Sequence, residues 1–121
     1  EGAPEFKFHK ENRNMNQKIE TFDELKFESL GDLKWHIGRG CEIEFIWDNK
    51  YYSITHPDGK ICIGEGYYFK NGKAYNLLSH SEYDTEKSLT SNTVDDIIDF
   101  SLGENKLREV ATKIGIVYRS I

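Results

Sequence analysis

Residues 41–55, CEIEFIWDNKYYSIT, show the two-residue alternation of apolar and polar side chains that is typical of half-buried β-strands. Asp-Asn at 48–49 divides this stretch, and both residue types tolerate the positive φ angles of a two-residue hairpin turn. The turn sets a register with three facing pairs: Phe45 with Tyr52, Ile43 with Ile54, and Glu44 with Ser53. Because this register gathers the apolar side chains on one face, the pattern predicts an antiparallel hairpin.

A second turn signal extends the hairpin. The Pro-Asp-Gly sequence at 57–59 favours a tight turn, since proline presets its first corner and glycine adopts a left-handed conformation. A three-residue loop would place Cys62 opposite Ile54, whereas a four-residue loop would place Ile61 there. The sequence leaves both registers open, and the second packs better because Ile63 follows Ile61 on the same face.

A third turn completes a meander. Asn-Gly at 71–72 is the strongest two-residue hairpin signal in the chain. The strand before it contains Gly64 and Gly66, which predict a bulge or bend. The turns together predict four antiparallel strands, near 41–48, 50–56, 60–69 and 73–78. The polar residues 79–93 that follow are interpreted as a loop or poorly ordered insert.

Helix signals lie on both sides of the meander. Ser29 can cap a helix over 29–38 that ends at one of two nearby glycines. The preceding TFDELKF, 21–27, favours a short helix over a strand. Thr93 can cap the first of two helices within 94–114. The second of these is indicated by an apolar stripe at helical spacing, formed by Leu107, Val110, Ala111 and Ile114.

This order of elements predicts an α+β fold, in which a four-stranded antiparallel meander packs against a preceding helix and two C-terminal helices. A short strand is expected to close the chain at 115–121. The 121 residues suit one domain, which we place at 15–121, beginning at the only methionine. Residues 1–14 are interpreted as a tag or upstream leader, because EGAPEF resembles a cloning remnant.

Two cysteines, Cys41 and Cys62, are too few for the disulfide framework of a small secreted protein. We expect two reduced thiols, and the alternative is a single disulfide between them. No apolar run approaches the roughly 20 residues that span a bilayer. Together these features predict a cytoplasmic protein that does not bind membranes.

Groups that could support catalysis are scattered. The histidines share no spacing typical of zinc sites, and the cysteines form no CxxC pair. Glu42 and Glu44 fit the solvent face of a strand better than an acid and base pair. We therefore assign no catalytic, cofactor or metal residues. The alternatives are a small enzyme or ligand-binding domain that uses His56 and Asp58, or a housekeeping domain.

Charge is more informative. Residues 82–104 contain seven acidic residues and a single base, Lys87, a local balance of −6 within a chain of net charge −5. One explanation of this bias is a solvated loop followed by acids that suit the positive end of a helix dipole. A surface for a basic partner is the more specific interpretation. Its candidate residues are Glu82, Asp84, Glu86, Asp95, Asp96 and Asp99.

Tyrosines form a second candidate surface. Tyr51 points to the sheet face opposite Tyr52, and Tyr67 and Tyr68 lie on a neighbouring strand. Tyrosine is enriched at protein interfaces because it combines a large apolar area with a polar end, although it also suits strands in general. We add Tyr51, Tyr67 and Tyr68 to the predicted partner-binding residues.

The sequence resembles a group of short α+β accessory proteins of low-GC Gram-positive bacteria and their mobile elements. The similar segments are RGCEIEFIWDNKYYSIT at 39–55, the Gly-Lys turn at 59–60 and LGENKLREV at 102–110. Asp-Asn at 48–49 departs from the Asn-Gly turn of that group, and 79–92 resembles an insert. The resemblance implies a bacterial accessory protein and no particular activity.

The predicted function is therefore non-enzymatic binding and inhibition of a basic protein, such as a nuclease or another nucleic-acid-binding protein. An immunity protein and a phage-encoded inhibitor both fit, because acidic side chains can mimic a phosphate backbone. Direct nucleic-acid binding fits poorly, since no basic stripe with interleaved aromatic residues is present.

Overall fold

Two antiparallel sheets and two helices form the α+β fold of residues 19–120, the part of the chain that this computed structural model describes. The predicted leader at 1–14 lies outside the described residues. In chain order the elements are α1 (Leu30–Gly38), β1 (Ile43–Trp47), β2 (Lys50–Thr55), β3 (Ile61–Glu65), β4 (Tyr67–Lys70), β5 (Lys73–Asn76), β6 (Glu82–Tyr83), β7 (Leu89–Ser91), α2 (Val94–Ile98) and β8 (Gly115–Arg119). Sheet A has the order β7-β3-β2-β1-β8, and sheet B has the order β4-β5-β6.

The predicted β1–β2 hairpin is confirmed. Phe45 lies opposite Tyr52 and Ile43 opposite Ile54, with both residues of the turn at 48–49 at positive φ. The rings of Phe45 and Tyr52 stack with centroids 5.2 Å apart. The closing strand is also confirmed, as β8, which pairs with β1 on the side away from β2.

Both predicted registers of the third strand are wrong. Ile54 faces Ile63, not Cys62 or Ile61. The cause is a longer turn, because Asp58 as well as Gly59 has positive φ. The amide of Lys60 then bonds the Pro57 carbonyl at 2.9 Å, which delays the start of β3.

A single four-stranded meander is also wrong, because the chain leaves sheet A at Gly66. A β-carbon at this position would collide with the ring of Tyr51. The Gly66 amide still bonds the Tyr51 carbonyl at 2.8 Å, but the Gly66 carbonyl accepts from the amide of Leu77 at 2.9 Å. The predicted third strand is therefore split into β3 and β4, and β4 begins a second sheet.

Residues 79–93 are ordered structure, so their prediction as a loop or poorly ordered insert is wrong. They contain β6, a 3₁₀ turn at Thr85–Lys87 and β7. The hydroxyls of Tyr83 and Ser88 are hydrogen-bonded at 2.7 Å and lie against the backbone of Gly64. Short strands of mostly polar residues give too weak an apolar pattern to be recognised from sequence.

The helix predictions are partly confirmed. The Ser29 hydroxyl caps α1 by accepting from the amide of Asp32 at 3.0 Å, and Thr93 caps α2 through the amide of Asp96 at 3.3 Å. The segment at 21–27 contains only a 3₁₀ turn, Asp23–Leu25.

The predicted second C-terminal helix is wrong. In its place lie a 3₁₀ turn, Leu107–Glu109, and further turns. Bonds to the third preceding carbonyl, such as Val110 to Leu107 at 3.0 Å and Lys113 to Val110 at 2.8 Å, keep this segment tightly wound. The predicted apolar stripe is nevertheless buried, because tight turns satisfy its spacing as well as a helix does.

One hydrophobic core unites α1, α2 and the C-terminal turns with a single face of sheet A. Its fully buried members include Leu33, Ile37, Ile43, Phe45, Ile54, Ile63, Ile97, Leu107, Ile114 and Ile116. Four buried apolar residues lie outside this core cluster, namely Tyr51, Ala74, Leu77 and Tyr83. They belong to the junction between sheets A and B.

Tyr52 makes the free energy of unfolding depend on pH in the alkaline range. Burial raises its pKa to about 12, and the charges of Glu65, Asp48 and Tyr83 act in the same direction. The unfolded state releases this proton near pH 10, whereas the folded state holds it to higher pH. Stability is therefore expected to fall between about pH 10 and 12, by about 2 kcal/mol from this group.

Denaturant unfolding of wild type and Tyr52→Phe at pH 8 and pH 11.5 checks this expectation. The variant keeps the stacked ring but cannot ionise, so it should lose less stability between the two pH values. Equal losses would show that Tyr52 does not cause the alkaline sensitivity. Tyr83, whose pKa burial also raises, supplies a residual slope in both proteins.

Candidate functional site

The six predicted acidic residues are all exposed and fall into two groups along the chain. The first group, called the 82–86 acids, consists of Glu82, Asp84 and Glu86, on β6 and the 3₁₀ turn after it. The second group, called the α2 acids, consists of Asp95, Asp96 and Asp99, in α2 and at its C-terminal cap. Strand β7, the edge strand of sheet A, lies between the two groups in the chain.

The α2 acids are partly neutralised by bases from other elements. Lys34 on α1 lies 3.2 Å from the carboxylate of Asp95. Arg108 donates to Asp99 at 2.7 Å, which lowers the pKa of that carboxyl. Asp96 accepts from the hydroxyl of Ser91 at 2.6 Å. The count of charges in 82–104 therefore overstates the negative field at this end of β7.

The 82–86 acids keep more of their charge available. None of the three forms an ion pair with another residue in 19–120. Asp84 has a local role as well, since its carboxylate accepts from the amide of Glu86 at 3.0 Å and so caps the 3₁₀ turn. These three carboxylates are the strongest candidates for contact with a basic partner.

An open groove of about 560 Å³ adjoins the 82–86 acids. Glu82 and Asp84 line it together with Phe69, Lys73 and Lys87. Because the two lysines balance the two carboxylates, the groove itself has no net charge. The side chain of Phe69 is 65% exposed and is the most exposed large apolar residue in the described part of the chain. A groove of this kind offers apolar contact beside charged side chains of both signs.

The three candidate tyrosines do not form one surface. Tyr51 is only 2% exposed and lies at the junction of the two sheets, so its side chain does not belong to an accessible face. Its hydroxyl donates to Glu44. Glu44 is therefore half-buried beside Tyr51, not part of a bare solvent face as predicted.

Tyr67 and Tyr68 have separate surroundings, as expected for neighbours in a strand. Tyr67 packs edge-on against Phe69 with ring centroids 5.3 Å apart. Tyr68 lies near Tyr75 and bonds the imidazole of His80 at 3.0 Å. Of the predicted tyrosines, Tyr67 is therefore the one associated with the groove residue Phe69.

Sequence reasoning missed the two most exposed aromatic residues of the described chain. The alternation along β4 could have identified Phe69, because residues two apart in a strand, such as Tyr67 and Phe69, lie on the same face. Trp35 is 56% exposed on α1, with the guanidinium of Arg39 4.5 Å from its ring centre. The exposure of Trp35 could not be read from the sequence, because the apolar residues Leu33 and Ile37 of the same helix are buried.

At the alternative site, His56 is bonded to the backbone of a neighbouring element. One ring nitrogen of His56 donates to the carbonyl of Ile37 at 3.0 Å, which ties the end of β2 to α1. Asp58 is exposed in the following turn. Within residues 19–120, no group of three or more His, Cys, Asp or Glu side chains could hold a metal ion. Cys41 and Cys62 are free thiols, as predicted.

Comparisons with known proteins add no family. No family model matches the chain, and no curated protein or solved structure matches it either. No described helix has the length and apolar character needed to cross a membrane.

Proposed function

We propose that this is a non-enzymatic bacterial protein that binds, and thereby inhibits, a basic protein. The observation that carries the proposal is the exposure of Glu82, Asp84 and Glu86, without ion-pair partners in the described chain, beside the exposed ring of Phe69. Protein interfaces commonly combine an aromatic anchor with a polar, charged rim.

The charge of the surface indicates the class of partner. A net charge of −5 repels nucleic acid and attracts proteins that bind it. A nuclease or another nucleic-acid-binding protein has a basic surface shaped for phosphate groups, which exposed carboxylates can occupy. An immunity protein or a phage-encoded inhibitor would work in this way, blocking the partner's nucleic-acid site without chemistry of its own.

Charge reversal of the 82–86 acids tests the proposal. The variant Glu82→Lys, Asp84→Asn, Glu86→Lys changes the net charge by +5 and keeps a capping side chain at position 84. We expect its association with the partner to be about tenfold slower or more, because electrostatic steering acts mainly on the association rate. The partner is first captured from the organism that encodes the protein and is then purified for stopped-flow measurements.

A matched control carries the same change of net charge elsewhere. Glu20→Lys, Asp23→Asn, Glu24→Lys also adds +5, beside β8 at the opposite edge of sheet A from β7. This control should associate nearly as fast as wild type. If both variants slow association equally, only the overall charge matters and the 82–86 acids are not an interface. If neither variant changes the rate, an acidic interface is excluded.

A further inference from the structure

The β1–β2 hairpin determines toward which neighbouring strand the backbone N–H and C=O of each residue in β2 and β3 point. Residues that flank a two-residue turn form a hydrogen-bonded pair, and such pairs alternate along an antiparallel ladder. Trp47 and Lys50 flank the turn at 48–49, so Tyr51, Ser53 and Thr55 direct their backbone groups toward β3. The bond from the Gly66 amide to the Tyr51 carbonyl, 2.8 Å, agrees with this alternation.

The same alternation extends across β3 to the edge of the sheet. Cys62 faces Thr55 and is bonded to β2, so its neighbours Ile61 and Ile63 direct their backbone groups toward β7. Their partners there are Ser91 and Leu89. The N–H and C=O of Thr90 therefore point away from the sheet.

This edge is open in the described structure. Strand β7 is the last strand of sheet A, with no described strand beyond it, and Thr90 is exposed. An edge residue that presents an outward N–H and C=O can pair with an added strand from another chain.

Exposed acidic residues precede and follow β7 in the chain. Glu86 precedes β7, and Asp95 and Asp96 follow it. A segment laid along β7 would span about 10 Å for three residues. Lys87 is the only base between residues 82 and 99 of the chain. The charge around the edge is complementary to an extended basic segment.

We infer that an extended, basic segment of the partner pairs with the outer edge of β7, exchanging hydrogen bonds with the backbone of Thr90. This inference rests on the proposed function and specifies how the basic partner is bound. Backbone pairing holds the segment in register, and its basic side chains are attracted to the 82–86 acids, which form no ion pair with another described residue.

A defined peptide tests the inference without knowledge of the partner. The probe is an acetylated, amidated (Arg-Val)₃ peptide, and a (Glu-Val)₃ peptide is its control. Amide hydrogen exchange, followed by NMR on wild-type protein, should slow by more than tenfold at Thr90 when the arginine peptide is near saturation. The glutamate peptide should leave the Thr90 exchange rate unchanged.

A proline variant tests the contribution of backbone pairing at the edge without changing the charge of the protein. Thr90→Pro removes the outward N–H, which is not used within sheet A, and proline is tolerated at such edge positions. We expect Thr90→Pro to bind the arginine peptide at least tenfold more weakly than Thr90→Val, which keeps the N–H. The protection measurement uses wild-type protein, so it remains decisive if Thr90→Pro is unfolded.

The outcomes distinguish the two proposals. If Thr90 gains no protection, or Thr90→Pro binds as well as Thr90→Val, the edge inference is overturned. If the 82–86 reversal still slows the partner's association in that case, the proposed function stands with another binding geometry. If both peptides protect Thr90 equally, the basic character of the bound segment is wrong.

Discussion

Replacing Phe45 by alanine is expected to lower the free energy of unfolding by about 3–5 kcal/mol, the usual range for deleting a buried aromatic side chain. Phe45 is 0% exposed on β1. It lies between Tyr52 of β2 and Ile116 of β8. Because the surrounding strands cannot collapse into the space of a whole ring, a cavity adds to the lost burial. Urea unfolding measures the effect.

The matched control is Glu42→Ala, at an exposed position just before the same strand. It should cost less than about 0.5 kcal/mol, as at surface sites without a special role. Similar losses at the two positions would contradict the assignment of faces to β1. Glu44 was expected from sequence to be equally tolerant, but Glu44→Ala removes the hydrogen bond from Tyr51 and should cost about 1 kcal/mol.

Replacing Asn76 by alanine should destabilise the protein by about 3 kcal/mol, since it removes several buried hydrogen bonds at once. Asn76 is the only fully buried polar residue in the described chain. Its side-chain oxygen accepts from the amides of Tyr51 at 3.1 Å, Leu78 at 2.9 Å and Ser79 at 3.1 Å. Its side-chain nitrogen donates to the Tyr51 carbonyl at 3.1 Å and to Glu65 at 2.9 Å.

These bonds join the two sheets. In a continued ladder the Gly66 carbonyl would accept from the amide of Tyr51, but it accepts from the amide of Leu77 instead. The side-chain oxygen of Asn76 takes its place as the acceptor for Tyr51. Asn92→Ala, at an exposed asparagine, is the control and should cost less than about 0.5 kcal/mol. If Asn76→Ala unfolds at the same urea concentration as this control, Asn76 does not hold the junction.

Local turn chemistry carried the correct part of the fold prediction. Asp-Asn at 48–49 fixed the first hairpin because only a few residue types adopt positive φ without strain. The sequence predicted a bend near Gly66, but it did not predict that the chain enters a second sheet there. Whether the strand bulges or enters a second sheet depends on two contacts that arise only in the folded chain. One is the packing of the Tyr51 ring against Gly66, and the other is the hydrogen bond from the Tyr51 amide to the side chain of Asn76.

The candidate site was predictable to a similar degree. The sequence identifies the acidic residues and their exposure, because charged side chains are rarely buried. It does not identify which of them are neutralised, since Lys34 and Arg108 lie outside the acidic stretch and reach Asp95 and Asp99 only through packing. The burial of Tyr51 depends in the same way on the covering second sheet.

The salt dependence of association with the purified partner tests most directly whether the 82–86 acids form the interface. Exposed charges are screened over about 10 Å at 0.1 M salt and over about 3 Å at 1 M. The wild-type association rate should therefore fall steeply across this range. The rate for Glu82→Lys, Asp84→Asn, Glu86→Lys should start lower and change little. Parallel salt dependence for the two proteins would contradict an acidic interface at residues 82–86.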